Sequence, residues 1–306
     1  MKLRTFLVLL CLTFSLFSYQ GFAKPTSSFI KVNGLKLHYL NEGKKGNPLV
    51  IFLHGFPEYS GVWSSYFPFF KDKYFVVAPD MRGYNLSDKP LGIKDYTLGK
   101  LTDDVKDLIT NLGYKKAVLV AHDWGGVVAW YFATRYPKLL SHLVVINSPY
   151  PKIYGKLFQT NKKQMKSGAY IKMLTSKEGP KKVRANKFEL FRKAYFQETT
   201  ATLTEKEKQE QIEAWERPLA IESSIKYYIA SFVFKKENRK LLKGSITTPT
   251  LVFWGLNDSA LIPENLDGLH EFISPLTVKT YKEGTHWVHI EKPALFSKEI
   301  KHFIGL

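Results

Sequence analysis

Ala117-Val-Leu-Val-Ala121, running into His122-Asp123-Trp124-Gly125-Gly126, is the stretch on which the fold turns. Five apolar residues in succession suit a strand buried on both faces, as strands of parallel sheets are. The small residues at 121, 125 and 126 then permit a sharp reversal from strand into helix. Such a turn lifts the central side chain into a cleft, as the Gly-x-Ser-x-Gly nucleophile elbow does. Here the lifted residue is a carboxylate, Asp123. An Asp at this point could instead cap the following helix. A cap, however, requires no small residues two before and two after it, so the elbow accounts for more of the stretch.

Outward from the elbow, the same grammar recurs. Pro48-Leu-Val-Ile-Phe-Leu53, Tyr74-Phe-Val-Val-Ala78 and Leu143-Val-Val-Ile146 are short apolar runs, separated by helix-length segments near 97–112 and 125–136. A hairpin is expected ahead of them, from Ser28 to Asn41 around Asn33-Gly34, a pair that tolerates positive φ. Strand signals stop at Ser148 and return at Thr250-Leu-Val-Phe-Trp254 and Leu276-Thr-Val-Lys-Thr-Tyr281, and a last helix is expected from Pro293. Between lies Lys-rich, helix-compatible sequence. The expectation is an α/β fold, a mostly parallel sheet with helices on both faces, made of 24–147 and 245–306, with 148–244 inserted as a helical cap (lid).

Ligands of open parallel sheets gather beyond the carboxyl ends of the strands, and each such end here carries chemistry. His54-Gly-Phe-Pro-Glu58 follows one strand, so the backbone N–H groups of Phe56 and Trp124 could form an oxyanion hole, with His54 organising the loop. Asp258, in Trp254-Gly-Leu-Asn-Asp258, could orient a histidine or simply form a turn. His286, in Gly284-Thr-His-Trp287, completes the chain order nucleophile, acid, histidine; His289 is the rival base. His142, His270 and His302 read as surface or packing residues, and His38 lies in the hairpin.

These motifs, with Asp80-Met-Arg-Gly83 and Ser87-Asp-Lys-Pro90, resemble the α/β-hydrolase superfamily over residues 28–304, and within it the epoxide hydrolase group, related to haloalkane dehalogenases. The resemblance implies that Asp123 attacks an sp³ carbon and forms an alkyl ester, which water activated by His286 then hydrolyses. It also implies two lid tyrosines that donate to the epoxide oxygen, matched by Tyr170 and Tyr228. Many relatives carry Trp before the first, where Ala169 stands here, and Tyr227 competes with Tyr228. The implied substrate is a small apolar epoxide, with water and no cofactor or metal. A haloalkane dehalogenase is the alternative, although Phe56 occupies the position where a second halide donor, often Asn, is expected. A non-catalytic secreted binding protein of the same fold is the other.

Residues 1–23 stand apart. Lys2 and Arg4 precede the apolar stretch Phe6–Phe17, and Gly21-Phe-Ala23 supplies small residues at cleavage spacing, the pattern of a secretory signal peptide. The apolar stretch is shorter than the ~20 residues a membrane span needs. Secretion or periplasmic export with cleavage after Ala23 is expected. The one cysteine, Cys11, would leave with that segment, which excludes thiol nucleophiles and thiolate metal sites from the mature chain. Across 306 residues, 45 Lys+Arg stand against 27 Asp+Glu, a formal charge of +18, and residues 151–200 hold thirteen of those cations against three Glu. No Arg-rich recognition helix, zinc spacing or aromatic RNA motif accompanies them, so no nucleic-acid partner is expected. Weak association with anionic surfaces is compatible with the charge.

Overall fold

The computed structural model describes residues 25–306; the proposed leader, 1–23, lies outside the described residues. Eight strands, β1 (Thr26–Val32), β2 (Leu35–Glu42), β3 (Leu49–Leu53), β4 (Phe75–Pro79), β5 (Ala117–His122), β6 (Leu140–Ile146), β7 (Thr250–Gly255) and β8 (Leu276–Tyr281), form one sheet. Their order is β1-β2-β4-β3-β5-β6-β7-β8. The first two strands and the β2–β4 pairing are antiparallel, and every pairing from β4 to β8 is parallel.

The all-apolar strands are explained by where alternate side chains go. Val50 and Phe52 of β3, Val118 and Val120 of β5, and Val144 and Ile146 of β6 face one core, with Trp63, Phe67, Phe70, Phe296 and Ile300. Their neighbours Ile51, Leu53, Leu119, Ala121, Leu143 and Val145 face the other, under the helices Leu98–Asn111 and Asp123–Arg135. Period two with both faces covered leaves no position for a polar residue. In contrast, β1 alternates exposed and partly buried residues, as an edge strand does. β6 starts at Leu140, three residues before its apolar run, because Leu140 and His142 pair with Ala117 and Val118 of β5 across a register shift that skips the half-buried Ser141.

Between β6 and β7 the chain is helical from Pro151 to Leu241. The helix Glu205–Glu216 starts with a capping box between Thr204 and Glu207, which satisfies two otherwise orphaned N–H donors. The helix Gly179–Phe191 is interrupted at Ala185–Phe188, where Asn186, Lys187 and Phe188 are left-handed. This helical segment is fastened to the strand-end loops beneath it. Trp215 Nε1 donates to the Pro57 carbonyl at 2.6 Å, Trp287 Nε1 to Ala194 at 2.7 Å, and Gln164 to Ala260 at 2.8 Å.

Candidate active site

Asp123 sits at the junction of β5 and its helix with φ +46°, a left-handed conformation that ordinary residues avoid. The glycines after it are what allow the turn. A Cβ on Gly125 would lie 2.6 Å from the backbone oxygens of Leu53 and His54, and one on Gly126 would lie 2.4 Å from Ser148 Cβ. Ser148 Oγ in turn donates to the Asp123 carbonyl at 2.6 Å. The spacing read in the sequence thus reflects close approach of two neighbouring strand ends to the elbow.

The carboxylate of Asp123 has two differently occupied oxygens. Oδ1 accepts from Phe56 N–H at 2.7 Å, and the Trp124 N–H also bonds to this carboxylate. Oδ2 stands 3.7 Å from His286 Nε2. Burial raises the Asp123 pKa, opposed by the nearby imidazoles of His286 and His122 and by the two N–H donors.

His286 Nδ1 meets Asp258 Oδ2 at 2.7 Å. Burial works against its charge, but the carboxylates of Asp258 and Asp123 outweigh that and push it up to about 9. Asp258 is itself held on both oxygens. Its Oδ1 accepts from the N–H groups of Ala260 and Leu261, each at 2.8 Å, and its Oδ2 also accepts from Asn147 Nδ2 at 2.7 Å. Asn147, at the end of β6 with φ +38°, returns its own Oδ1 to Gly255 N–H at 2.9 Å. Sequence reading passed over this residue. Its only local signal is an Asn directly after an apolar strand, at a place where left-handed backbone favours Asn.

His289 lies elsewhere. Its Nε2 is 2.7 Å from Glu58 Oε1, and its ring stacks on His122 at 3.9 Å. Glu58 Oε2 accepts from Gly55 N–H and meets His122 Nδ1, both at 2.8 Å, while His122 Nε2 is 2.9 Å from the His286 carbonyl. One buried carboxylate therefore ties together the loop that carries Phe56, the residue before the elbow and the loop that carries His286. The two imidazoles hold Glu58 well below the usual carboxylate range despite its burial. Burial also opposes a charge on His122, but both its ring nitrogens face accepting oxygens. These three residues also bring metal-type donors together, and those donor atoms are already paired with each other. His54 braces the same loops through Gly55 O and Met81 N–H.

Opposite the elbow, Asp123, Trp124, Tyr170 and Tyr228 line a cavity of about 750 Å³, otherwise largely apolar, with Val127, Tyr154, Phe158 and Leu261 among its walls. Tyr228 is buried and its ring packs edge-on against Phe56 and Trp124. Tyr170 is 38% exposed overall, yet its hydroxyl is enclosed beside Tyr228. Burial, reinforced by the Asp123 charge, raises both phenols, which therefore remain protonated donors. Tyr227 points the other way on its helix and donates to the Arg82 carbonyl at 2.7 Å. The structure thus brings Asp123, His286, Asp258, Phe56, Trp124, Tyr170 and Tyr228 into one region and leaves out Tyr227 and His289.

Residues 48–293 match the family model for the α/β-hydrolase fold. Over 305 aligned residues the chain is 34% identical to epoxide hydrolase 1 of Caenorhabditis elegans, covering 95% of this chain and 74% of that one. Among solved structures, an inhibitor complex of a Bacillus megaterium epoxide hydrolase is 32% identical, with a TM-score of 0.84 over 91% of this chain and all of that one. A point variant of an epoxide hydrolase from the same organism, complexed with its product (R)-3-[1]naphthyloxy-propane-1,2-diol, has a TM-score of 0.82 at the same identity and coverage.

Proposed function

We propose that this chain, which belongs to the α/β-hydrolase fold family and to its epoxide hydrolase group, opens epoxides to vicinal diols through a covalent ester on Asp123. The observation that carries the reading is the division of labour between the two Asp123 oxygens. Oδ1 already accepts from the Phe56 N–H of the proposed hole, and Oδ2 faces the cavity and His286.

In the first step Oδ2 attacks a ring carbon of the epoxide, the C–O bond of the ring breaks, and the ring oxygen takes a proton from Tyr170 or Tyr228. Ester formation removes the negative charge of Asp123, one of the two carboxylates that keep His286 protonated. The imidazole pKa therefore falls at the stage where a base is needed, so that Nε2 releases its proton to solvent and regains one when the Asp123 charge returns at the end of the cycle. Nε2 then takes a proton from water and the hydroxide adds to the ester carbonyl, whose oxygen is Oδ1, already in the hole. Collapse expels the diol alkoxide, which takes the proton back from His286. The new carboxyl proton restores the tyrosine.

Displacement of a halide would need the Trp124 indole as a donor, and that indole interacts with the Tyr228 hydroxyl. We also propose that residues 1–23 direct export and are cut between Ala23 and Lys24; secreted protein whose intact mass begins at Met1 overturns this. The reaction route is tested by a single turnover in ¹⁸O-water. Label is expected in the Asp123 carboxylate, because the diol inherits an old Asp123 oxygen. Label found directly in the first diol means direct water attack and removes Asp123 as nucleophile.

A further inference from the structure

The residues that both line the cavity and reach solvent mark its mouth. On the helix Pro151–Thr160 they are Lys152, Lys156, Gln159 and Thr160, spaced to share one face. Where the helix Ala220–Val233 gives way to Lys235–Leu241 they are Phe232, Lys235 and Arg239, and Tyr170 is the remaining one. Among the described residues, none of these four cations forms an ion pair. No carboxylate stands with them, since Asp123 at the elbow is the only one in the described lining. Between Pro151 and Lys177 the chain has no Asp or Glu, and the exposed Lys162, Lys163 and Lys166 carry the charge beyond the mouth. A basic surface alone is most often a solvated face. This one is interrupted by Phe232, 52% exposed, and Val233, 61% exposed, which among the described residues are the most exposed large apolar side chains after Leu91. Single exposed apolar residues need no explanation. These two adjoin, the first of them lines the opening, and Lys235 and Lys236 stand just beyond.

We propose that this mouth is a docking surface for a lipid bilayer with anionic headgroups. Lys152, Lys156, Lys235 and Arg239 meet the headgroup phosphates, and Phe232 with Val233 enters the boundary between headgroups and acyl chains. A nucleic acid takes the cations and leaves the apolar pair in water, whereas a bilayer takes both. Among the described residues no helix is long and apolar enough to cross a membrane, so the contact is peripheral. It also sets an orientation. The carboxyl ends of the parallel strands face the lipid, and the exposed Lys44, Lys45, Lys115 and Lys116, ahead of β3 and β5 at the amino ends of those strands, face away.

The test uses the full chain with vesicles of phosphatidylcholine alone and of phosphatidylcholine mixed with phosphatidylglycerol. Acetylation of lysines, read by mass spectrometry, reports the orientation, so binding through any other segment does not mask it. The mixed vesicles should protect Lys152, Lys156 and Lys235 and leave Lys44, Lys45, Lys115 and Lys116 reactive, and high salt should remove the protection. Co-sedimentation measures the strength. Each cation near an anionic surface is worth about fivefold in partition, so replacing Lys152, Lys156, Lys235 and Arg239 together by Gln should weaken binding several hundred-fold, on the order of the product of the four. The same replacement of Lys44, Lys45, Lys115 and Lys116 removes equal charge and should leave binding within about fivefold of the parent, the weight of a single cation. Phe232→Ser with Val233→Ser keeps the charge and should weaken binding about tenfold, the weight of one partly buried apolar side chain. Equal protection of the two lysine sets, equal loss in the two quadruple variants, or no binding to the mixed vesicles overturns the docking surface. Vesicle binding that the serine pair leaves unchanged, matched by binding to a DNA duplex, identifies a plain polyanion site and overturns the bilayer.

Discussion

Asp123 and Lys187 both hold left-handed backbone, at φ +46° and +55°, in opposite kinds of surroundings. Around Asp123, Ser148 holds the carbonyl, Phe56 N–H holds the side chain, and Gly55, Gly125 and Gly126 leave no room for the turn to relax. Lys187 is exposed, in an interrupted helix whose residues 185–187 all face solvent, and only the buried Phe188 beside it is packed, against Trp215. Strain at the elbow is over-determined by the two neighbouring strand-end loops. In the helical segment one aromatic anchor holds it. The contrast teaches where function constrains this molecule: tightly at the strand ends, loosely in the outer layer of the cap.

Removing the elbow side chain tests that contrast most severely. Asp123→Gly should abolish turnover, a loss on the order of a millionfold for a nucleophile. It should also raise the melting temperature, since glycine adopts φ +46° freely and a buried carboxylate is removed. Loss of activity accompanied by a lower melting temperature would show that the elbow is not strained.

His286→Gln should permit ester formation and slow hydrolysis by about 10²–10⁴-fold, the range for general base catalysis, leaving an adduct of substrate mass on the protein. The same residue predicts a pH effect on stability. Its pKa is raised by folding from 6.5 to about 9. Its contribution is therefore present in full below pH 6.5 and lost as pH rises through about 9. The stability difference between the parent and His286→Gln should shrink across that window; a difference that grows with pH contradicts the charge assignment.

Glu58→Ala should cost about 3–5 kcal/mol in denaturant unfolding, because it leaves His122 and His289 buried without their acceptor. That network also marks the limit of what the sequence discloses. The parallel strands were legible because burial on both faces writes itself as uninterrupted apolar runs, and the elbow because close approach demands small residues at fixed spacing. Glu58 and His122 stood inside motifs, but no local pattern says that they meet His289, 231 residues from Glu58. Asn147 escaped for the same reason: its partners, Gly255 and Asp258, are contributed by another strand end. The choice between Tyr227 and Tyr228 needed the rotational phase of the helix Ala220–Val233, which adjacent identical residues cannot supply.

That phase gives a matched pair of variants. Tyr228→Phe, like Tyr170→Phe, should slow ester formation on the order of a hundredfold, the effect of losing one donor to a developing oxyanion, with ester hydrolysis little changed. Tyr227→Phe loses a hydrogen bond to the Arg82 carbonyl instead. It should lower stability by about 1 kcal/mol and leave the alkylation rate alone. Stopped-flow tryptophan fluorescence, which follows ester formation and decay separately, distinguishes them. Equal rate losses at 227 and 228 would mean that the tyrosines act through packing of the cap.

The smallest effect belongs to the outer layer. Lys187→Gly removes the Cβ that makes φ +55° unfavourable, a relief of roughly 1 kcal/mol net of the extra chain entropy that glycine loses on folding. The Lys187 side chain is exposed and makes no ion pair among the described residues, so nothing offsets that gain. The variant should therefore unfold at a slightly higher denaturant concentration with unchanged kcat/KM. A fall in kcat/KM with no gain in stability would place the strained turn in service of the active site, because Phe188 and Phe191 both pack on Trp215 and Phe191 also touches Phe56 of the hole loop. The loose region would then be loose for a reason: a cap held by aromatic contacts across a strained turn can shift over the cavity without disturbing the loops that perform the chemistry.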